Sequence, residues 1–193
     1  MKIKLYKNDL PPNVKFTKSV AIDTETMGLN PLRDRLCLIQ LSNGNGICHL
    51  VKLEANASKP KNLIKILSNK KILKIFHFAR FDVAILKFAF KVNIRNIYCT
   101  KIASKLARTF TDKHGYKDLC KELLNKQISK NQQTTDWGRS QLTIAQQKYA
   151  ATDVLYLHKI QKELDRMLTR EKRMDSVQAC FDFIEHRTNL DLE

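Results

Sequence analysis

Compact apolar runs separated by turn residues characterise the first half of the chain. Residues 19–24 and 36–41 are nearly continuous apolar runs, which are typical of strands covered on both faces. Residues 43–46, Asn-Gly-Asn-Gly, tolerate positive φ, and the apolar run 47–51 follows them. The pattern therefore predicts three strands, of which the last two form a hairpin.

From residue 61 onward the apolar period changes to that of helices. Leu63, Ile64, Ile66 and Leu67 suit a first helix. The pattern further predicts short strands at 72–76 and 96–99, helices at 80–90, 102–107, 117–124, 143–168 and 176–186, and a long loop over 126–140. We expect an α/β protein, a mixed sheet flanked by helices, that forms one domain over residues 1–193.

The composition fits a globular domain with a strongly basic surface. The 193 residues are 43% hydrophobic, and 35 Lys and Arg against 19 Asp and Glu give a net charge of +16. These values exclude disordered, collagenous and disulfide-scaffold proteins, and so basic a balance favours nucleic acid as a partner.

No apolar run reaches the roughly 18 residues of a membrane span, and the start has no signal core, so we expect a cytoplasmic protein. The dispersed cysteines, without a C-x-x-C pair, are interpreted as reduced, small apolar residues: Cys37, Cys48, Cys99, Cys120 and Cys180.

Acidic residues within apolar surroundings stand out in so basic a chain, because a buried carboxylate is costly unless it is paired or bound to metal. Asp23 and Glu25 end the first strand, where positions i and i+2 project from the same face. Two adjacent carboxylates repel each other unless a cation lies between them. The pair is therefore a candidate metal site; a solvated turn or helix cap is the alternative.

Two more segments place acidic or phenolic groups on predicted helices. Asp82 is flanked by aromatic and aliphatic residues at a helix start, where the helix dipole also favours a carboxylate. Tyr149 and Asp153 are spaced i, i+4, which puts both side chains on one helix face. Either segment alone also fits a structural role.

Together these segments resemble the three exonuclease motifs of the DEDDy 3′–5′ exonucleases related to ribonuclease D. The matching residues are Ala21-Ile-Asp-Thr-Glu-Thr, His77-Phe-Ala-Arg-Phe-Asp82 and Tyr149-Ala-Ala-Thr-Asp153, in the family's order. Thr135-Asp-Trp-Gly-Arg139, followed by Gln147, also fits the ribonuclease D pattern. The segment from Ala21 to Leu41, which includes Met27-Gly-Leu-Asn-Pro-Leu-Arg-Asp-Arg-Leu-Cys, resembles most the NanoRNase C branch of alphaproteobacterial diribonucleases, as does the short length. The resemblance implies a ribonuclease H-like DEDD exonuclease fold.

The resemblance also implies a two-metal hydrolysis of phosphodiester bonds in very short RNA. Asp23, Glu25 and Asp153 would hold one Mg²⁺ or Mn²⁺, while Asp23, helped by Asp82, would hold the other. Tyr149 would orient the attacking water, since an ordinary phenol is a poor base at neutral pH. The branch further implies a homo-oligomer, an octameric ring, in which residues 100–111 and Lys113-His-Gly line a channel of a neighbouring subunit.

Several other residues are candidates for substrate contacts. Leu29 matches the position at which related oligoribonucleases insert a leucine between two bases, although it could instead close a turn against the core. His77 could face the site or be a core histidine. Trp137 is interpreted as a packed loop anchor, with a platform for a base as the alternative, and Phe76, Phe78, Phe81 and Phe88 are interpreted as core. The remaining candidates are Thr26 and Met27 beside the first motif and, for phosphate, Arg80, Lys105 and Arg139.

Two rival functions stay open at this point. A general exonuclease acting on longer RNA or DNA would use the same chemistry, and the charge of +16 suits a long polyanion. A basic nucleic-acid-binding module without catalysis is the other, although all five catalytic-type side chains are present. A nucleotide-binding switch is disfavoured, because the chain has neither G-x-x-x-x-G-K-[ST] nor G-x-G-x-x-G.

Overall fold

A computed structural model describes residues 1–128 and 135–193 as a sheet with helices packed against it. The strands are β1 (Lys2–Lys7), β2 (Ser19–Thr26), β3 (Leu36–Ser42), β4 (Ile47–Lys52), β5 (Leu73–Phe76) and β6 (Ile97–Cys99). The helices are α1 (Lys61–Ser68), α2 (Ala79–Phe90), α3 (Thr100–Ala107), α4 (Tyr116–Leu124), α5 (Ile144–Leu155), α6 (Leu157–Arg170) and α7 (Met174–Leu190). Part of the predicted loop over 126–140 falls outside the described residues.

The sheet is mixed, as predicted, with the strand order β1-β4-β3-β2-β5-β6. β3 pairs antiparallel with β2 and β4, whereas β1 with β4, β2 with β5 and β5 with β6 pair in parallel. All seven residues of β3 are buried, which explains its continuous apolar run. The predicted hairpin joins β3 to β4, and Gly44 and Gly46 have the positive φ values of 81° and 83° that its turn needs.

Two elements differ from the sequence prediction. β1 was not predicted, because four of its six residues are exposed, three of them lysines, and it extends the sheet only by parallel pairing with β4 at the edge. The predicted helix over 143–168 is two helices, α5 and α6. They meet at Tyr156, whose φ of −106° and ψ of −4° depart from helical values while the apolar period continues.

The predicted phenylalanine core is only partly right. Phe76 is fully buried, whereas Phe81 and Phe88 are half-buried. Phe78 is 46% exposed, so its prediction as a core residue is wrong. It takes the left-handed conformation, φ 69° and ψ 47°, directly before α2, and this turns its side chain out of the core.

The cysteines are free, as expected, and four of them are buried. Cys180 is exposed on α7, so it is not part of the apolar core. Among the described residues, none of the helices combines the length and the apolar character that a membrane crossing requires.

Candidate active site

Asp23 and Glu25 lie near the end of β2, which β3 and β5 flank on either side. Their side chains share one face of the sheet, as the alternation of strand residues predicts. The pairing register between β2 and β3 shifts between Glu25 and Thr26. Such an irregularity ends regular pairing and redirects the chain, here into residues 26–29 at the edge of a cavity.

Asp153 and Tyr149 come from α5, which packs against β2, β3 and β4. The helix begins with a capping box in which Thr143 and Gln146 satisfy each other's backbone N–H groups. Carboxylate oxygens of Asp23, Glu25 and Asp153 all lie within 4.8 Å of one another. The structure thus joins the first and third motifs into one group of three carboxylates.

Asp82 is held in the first turn of α2 and is 3% exposed. The hydroxyl of Thr24 donates a hydrogen bond of 2.7 Å to its Oδ1. Asp82 lines the same cavity as Asp23, Glu25 and Asp153, but it is not a member of the three-carboxylate group. All four predicted carboxylates therefore surround one space.

Burial and mutual repulsion disfavour ionisation of these carboxyl groups. Burial raises the pKa of Asp23 to about 7. Burial, and then the charges of Asp23, Asp153 and Asp82, raise the pKa of Glu25 to about 10. The pKa values of Asp82 and Asp153 are raised by burial and by the charge of Asp23. Carboxylates that repel each other in this way, with oxygen as their only ligand atom, suit hard divalent cations such as Mg²⁺ or Mn²⁺.

Tyr149 is half-buried beside this group. Burial, followed by the charge of Asp153, raises its pKa far above the ordinary value, and its hydroxyl hydrogen-bonds to Asp153. The phenol therefore stays protonated at neutral pH.

Trp137 is 2% exposed, and the centre of its ring lies 6.1 Å from the ring centre of Tyr149. This burial agrees with the predicted loop anchor, although Trp137 also lines the cavity.

The carboxylates open into a cavity of about 770 Å³. Four of the residues predicted to contact substrate line it, namely Thr26, Met27, Leu29 and His77. Leu29 is 85% exposed, which excludes the alternative in which it closes a turn against the core. His77 is half-buried and shares a hydrogen bond of 2.9 Å between its Nδ1 and the hydroxyl of Thr100. Its position on the cavity wall favours the interpretation that it faces the site.

The three basic residues predicted to contact phosphate are not brought to this cavity. Arg80 forms a two-point ion pair with Asp191, with both distances 2.6 Å. Lys105 and Arg139 are exposed, and neither they nor Arg80 are among the described residues that line the cavity.

Sequence reasoning missed several residues of the site. Lys101 and Lys117 line the cavity, and the Lys101 ammonium lies 4.4 Å from the ring centre of Phe78. Nothing in the sequence distinguishes these lysines from the other cations. Gln40 donates hydrogen bonds from Nε2 to Asp23 and Glu25. The sequence does contain a signal for Gln40, because it is a polar residue in the middle of an apolar strand.

A family model described as 3′–5′ exonuclease matches residues 8–169, which include all five catalytic-type side chains. The chain belongs to the 3′–5′ exonuclease family. Ribonuclease D of Acidiphilium cryptum is 32% identical over 158 residues, 82% of this chain and 40% of that protein. Ribonuclease D of Xanthomonas oryzae is also 32% identical, over 155 residues, 80% of this chain and 42% of that protein. The chain thus spans about two fifths of the length of these curated relatives.

Solved structures of Brucella melitensis NrnC match the chain over all 193 residues. One is 50% identical with a TM-score of 0.96, and the match covers 100% of this chain and 94% of that chain. Further matching NrnC structures hold Mg²⁺, at 48% identity and a TM-score of 0.95, or pGG, at 49% and 0.96. These matches confirm the resemblance to the ribonuclease D superfamily and the α/β fold.

Proposed function

We propose that this exonuclease hydrolyses very short RNA, with dinucleotides as preferred substrates, to 5′-mononucleotides. The observation that carries the proposal is the likeness to the NrnC structure bound to pGG, at 49% identity over the whole of this chain. The cavity agrees with it, because 770 Å³ lies within the roughly 300–1,000 Å³ typical of small-ligand pockets. A pocket of this size suits a short oligonucleotide better than it suits an extended strand.

Two divalent cations, Mg²⁺ or Mn²⁺, are the proposed cofactors. Asp23, Glu25 and Asp153 would hold one, because their oxygens already lie within 4.8 Å of one another. Asp23 and Asp82 would hold the second. Bound there, the cations would stabilise the attacking and departing oxygens of an in-line displacement at phosphorus.

The surrounding side chains supply orientation rather than proton abstraction. The phenol of Tyr149, kept protonated by its raised pKa, can hydrogen-bond the attacking water and fix its direction. Leu29 and Met27, both exposed on the rim, offer apolar contacts to the two bases. Lys101 and Lys117 place positive charge on the cavity wall, where a phosphate would be attracted.

The same reasoning extends to the organisation of the protein. A single domain over residues 1–193 and a cytoplasmic location, expected from the length and from the lack of a long apolar run, stay predictions. A homo-oligomer, with an octameric ring as the specific form, is what the NanoRNase C resemblance implies, and it is also a prediction. Light scattering coupled to size-exclusion chromatography measures the oligomeric state directly. A monomer in solution would contradict the ring.

A general exonuclease acting on longer RNA or DNA is the second candidate. The net charge of +16 favours it, since a long strand offers many phosphates. A binding module without catalysis is disfavoured, because the four carboxylates and Tyr149 all line one cavity.

A time course with 5′-labelled RNA of two, three, five, seven and about twenty nucleotides separates these functions. It is run in Mn²⁺ or Mg²⁺, beside an EDTA control and the Asp153→Ala variant, with matched DNA as a second series. We expect the dinucleotide to disappear fastest. Equal or faster shortening of the long strands would favour the general exonuclease, and metal-independent or absent hydrolysis would contradict both enzymatic functions.

A further inference from the structure

Gln40 lies directly behind the candidate metal ligands. It is fully buried in β3 and stands opposite Asp23 in the pairing of β2 with β3, so both side chains project from the same face. Its Nε2 donates to Oδ2 of Asp23 at 3.2 Å and to Oε1 of Glu25 at 3.4 Å. Its own Oε1 is buried without a hydrogen-bond partner in the described part of the chain.

An amide at this position is costly to the fold. A buried polar group lowers stability unless it is hydrogen-bonded, and half of this amide has no partner. The neighbouring residues of β3 show that an aliphatic side chain would suit the strand. The polar identity of Gln40 therefore relates to the carboxylates that it contacts.

The chemistry of the contact determines its direction. With a cation bound, both carboxylates are ionised and only accept hydrogen bonds, so the amide turns its NH₂ group toward Asp23 and Glu25, as it does in this structure. One nitrogen then holds one oxygen of each carboxylate. The other carboxylate oxygens of Asp23 and Glu25 are free to point into the cavity, which both residues line. Gln40 is not among the described residues that line it.

We propose that Gln40 is a positioning residue that holds the Asp23 and Glu25 carboxylates in the arrangement that binds a divalent cation. Both carboxylates need the same donor, so a single side chain sets their relative orientation. This inference rests on the proposed function, because it assigns Gln40 a task only if the carboxylates bind metal. Gln40 acts through its two partners and touches neither cation nor substrate.

The test is a calorimetric titration of Mn²⁺ into the chelator-treated full chain, for wild type and Gln40→Met. Methionine matches glutamine in length and lacks the donor. We expect the Kd for Mn²⁺ to rise about 10- to 100-fold, the range typical for loss of a group that orients a metal ligand. In activity assays the Mn²⁺ concentration for half-maximal rate should rise by a similar factor, while kcat at saturating Mn²⁺ changes less.

Ser42→Ala is the matched control. Ser42 is also buried in β3, two residues from Gln40 and on the same face, and its hydroxyl donates to the carbonyl of Ile47 rather than to a carboxylate. This variant loses that hydrogen bond and the one that the hydroxyl accepts from the N–H of Gly44. We expect its Kd for Mn²⁺ to equal that of wild type, so that a general loss of stability can be distinguished from a loss of positioning.

Each result decides the inference. A Kd of Gln40→Met equal to that of wild type, or a shift no larger than that of Ser42→Ala, would overturn it. If circular dichroism shows Gln40→Met unfolded, Gln40→Leu replaces it, and if neither variant folds, Gln40 is a structural residue and the proposal is wrong. A wild-type chain that binds no Mn²⁺ would instead overturn the proposed function itself.

Discussion

The hydroxyl of Thr24 donates a hydrogen bond of 2.7 Å to Oδ1 of Asp82, which connects β2 to the first turn of α2. Thr24 lies between Asp23 and Glu25 in sequence, yet strand alternation directs its side chain to the other face of the sheet. The strand that carries the first motif therefore also orients the carboxylate of the second. The two motifs are joined by this contact rather than by proximity along the chain.

Replacing Thr24 by Val should disturb Asp82 while the fold is kept. Val fills nearly the same space, but it leaves a buried carboxylate oxygen without its donor. We expect kcat on a dinucleotide to fall by about 10- to 100-fold, as for other groups that orient a metal ligand. Thr24→Ser retains the hydroxyl and should keep most of the rate. Equal rates for Val and wild type would show that the contact has no part in activity.

Asp153→Asn should abolish turnover and leave the protein folded. Asp153 belongs to the three-carboxylate group. Its removal should lower kcat by more than the roughly 100-fold expected for a residue that only orients a metal ligand. Because the variant also removes repulsion between buried carboxylates, the thermal unfolding temperature of the metal-free protein should not fall. Calorimetry and a labelled-dinucleotide assay measure both effects. A wild-type rate would exclude Asp153 as a ligand.

Tyr149→Phe should retain a reduced but measurable rate. An orienting hydroxyl that is not the proton acceptor accounts for about 10²-fold, at the lower end of what proton-transferring groups contribute. Since the pKa of Tyr149 is raised by burial, its ionisation should not appear in the pH–rate profile between about pH 6 and 10. We expect wild type and Tyr149→Phe to have profiles of the same shape. A basic limb present in wild type and absent from the variant would contradict this role.

Stability of the metal-free protein should fall as pH rises. The folded pKa values of Asp23 and Glu25 lie above the ordinary carboxyl value, so the folded chain binds more protons than the unfolded chain. Their stabilising contribution is complete below about pH 4 and is lost as pH rises through about 7 for Asp23 and about 10 for Glu25. Bound cations replace those protons, so the increase in Tm on adding Mn²⁺ should be larger at about pH 8 than at about pH 5.5.

Asp153→Asn is also the control for this pH dependence. It removes one of the charges that raise the pKa of Glu25, so the decline of Tm with pH should become shallower. A Tm that rises with pH in the metal-free wild type would mean that the carboxylates are not held in the repelling arrangement.

Leu29→Ala should weaken substrate binding without affecting stability. Leu29 is 85% exposed, so the folded protein loses no core contact. If Leu29 packs between two bases, the loss of apolar burial, about 1.5 kcal/mol, corresponds to roughly a tenfold rise in KM for a dinucleotide. Leu32→Ala is the matched control, since Leu32 is 44% exposed and lines a different cavity. An unchanged KM in Leu29→Ala would exclude the base contact.

Local patterns were sufficient to predict most of the elements and the family. β3 and the hairpin after it follow from an apolar run and two glycines, which are local features. The five catalytic-type residues follow from motif order and neighbours alone. β1 could not be predicted in the same way, because an exposed lysine-rich strand carries no burial pattern and depends on a partner 45 residues away.

The direction in which individual side chains point could not be predicted from the sequence either. Phe78 has the sequence environment of a core residue, and only its left-handed backbone turns it toward the cavity. Arg80, within the second motif, is directed to Asp191 by the packing of α7 against α2. The direction of Arg80 therefore depends on where a distant element packs.

The amino-acid pattern alone identifies the chemical groups of the site, namely four carboxylates and a phenol in the order of an exonuclease family, and the basic character of the chain. How these groups meet depends on the packing of the folded chain. Asp23 and Glu25 come from a strand and Asp153 from a helix far along the chain. Gln40 hydrogen-bonds to Asp23 and Glu25, and Thr24 hydrogen-bonds to Asp82. Distances between such groups arise from packing, because burial of the apolar faces of β2, β3 and α5 brings their polar ends together.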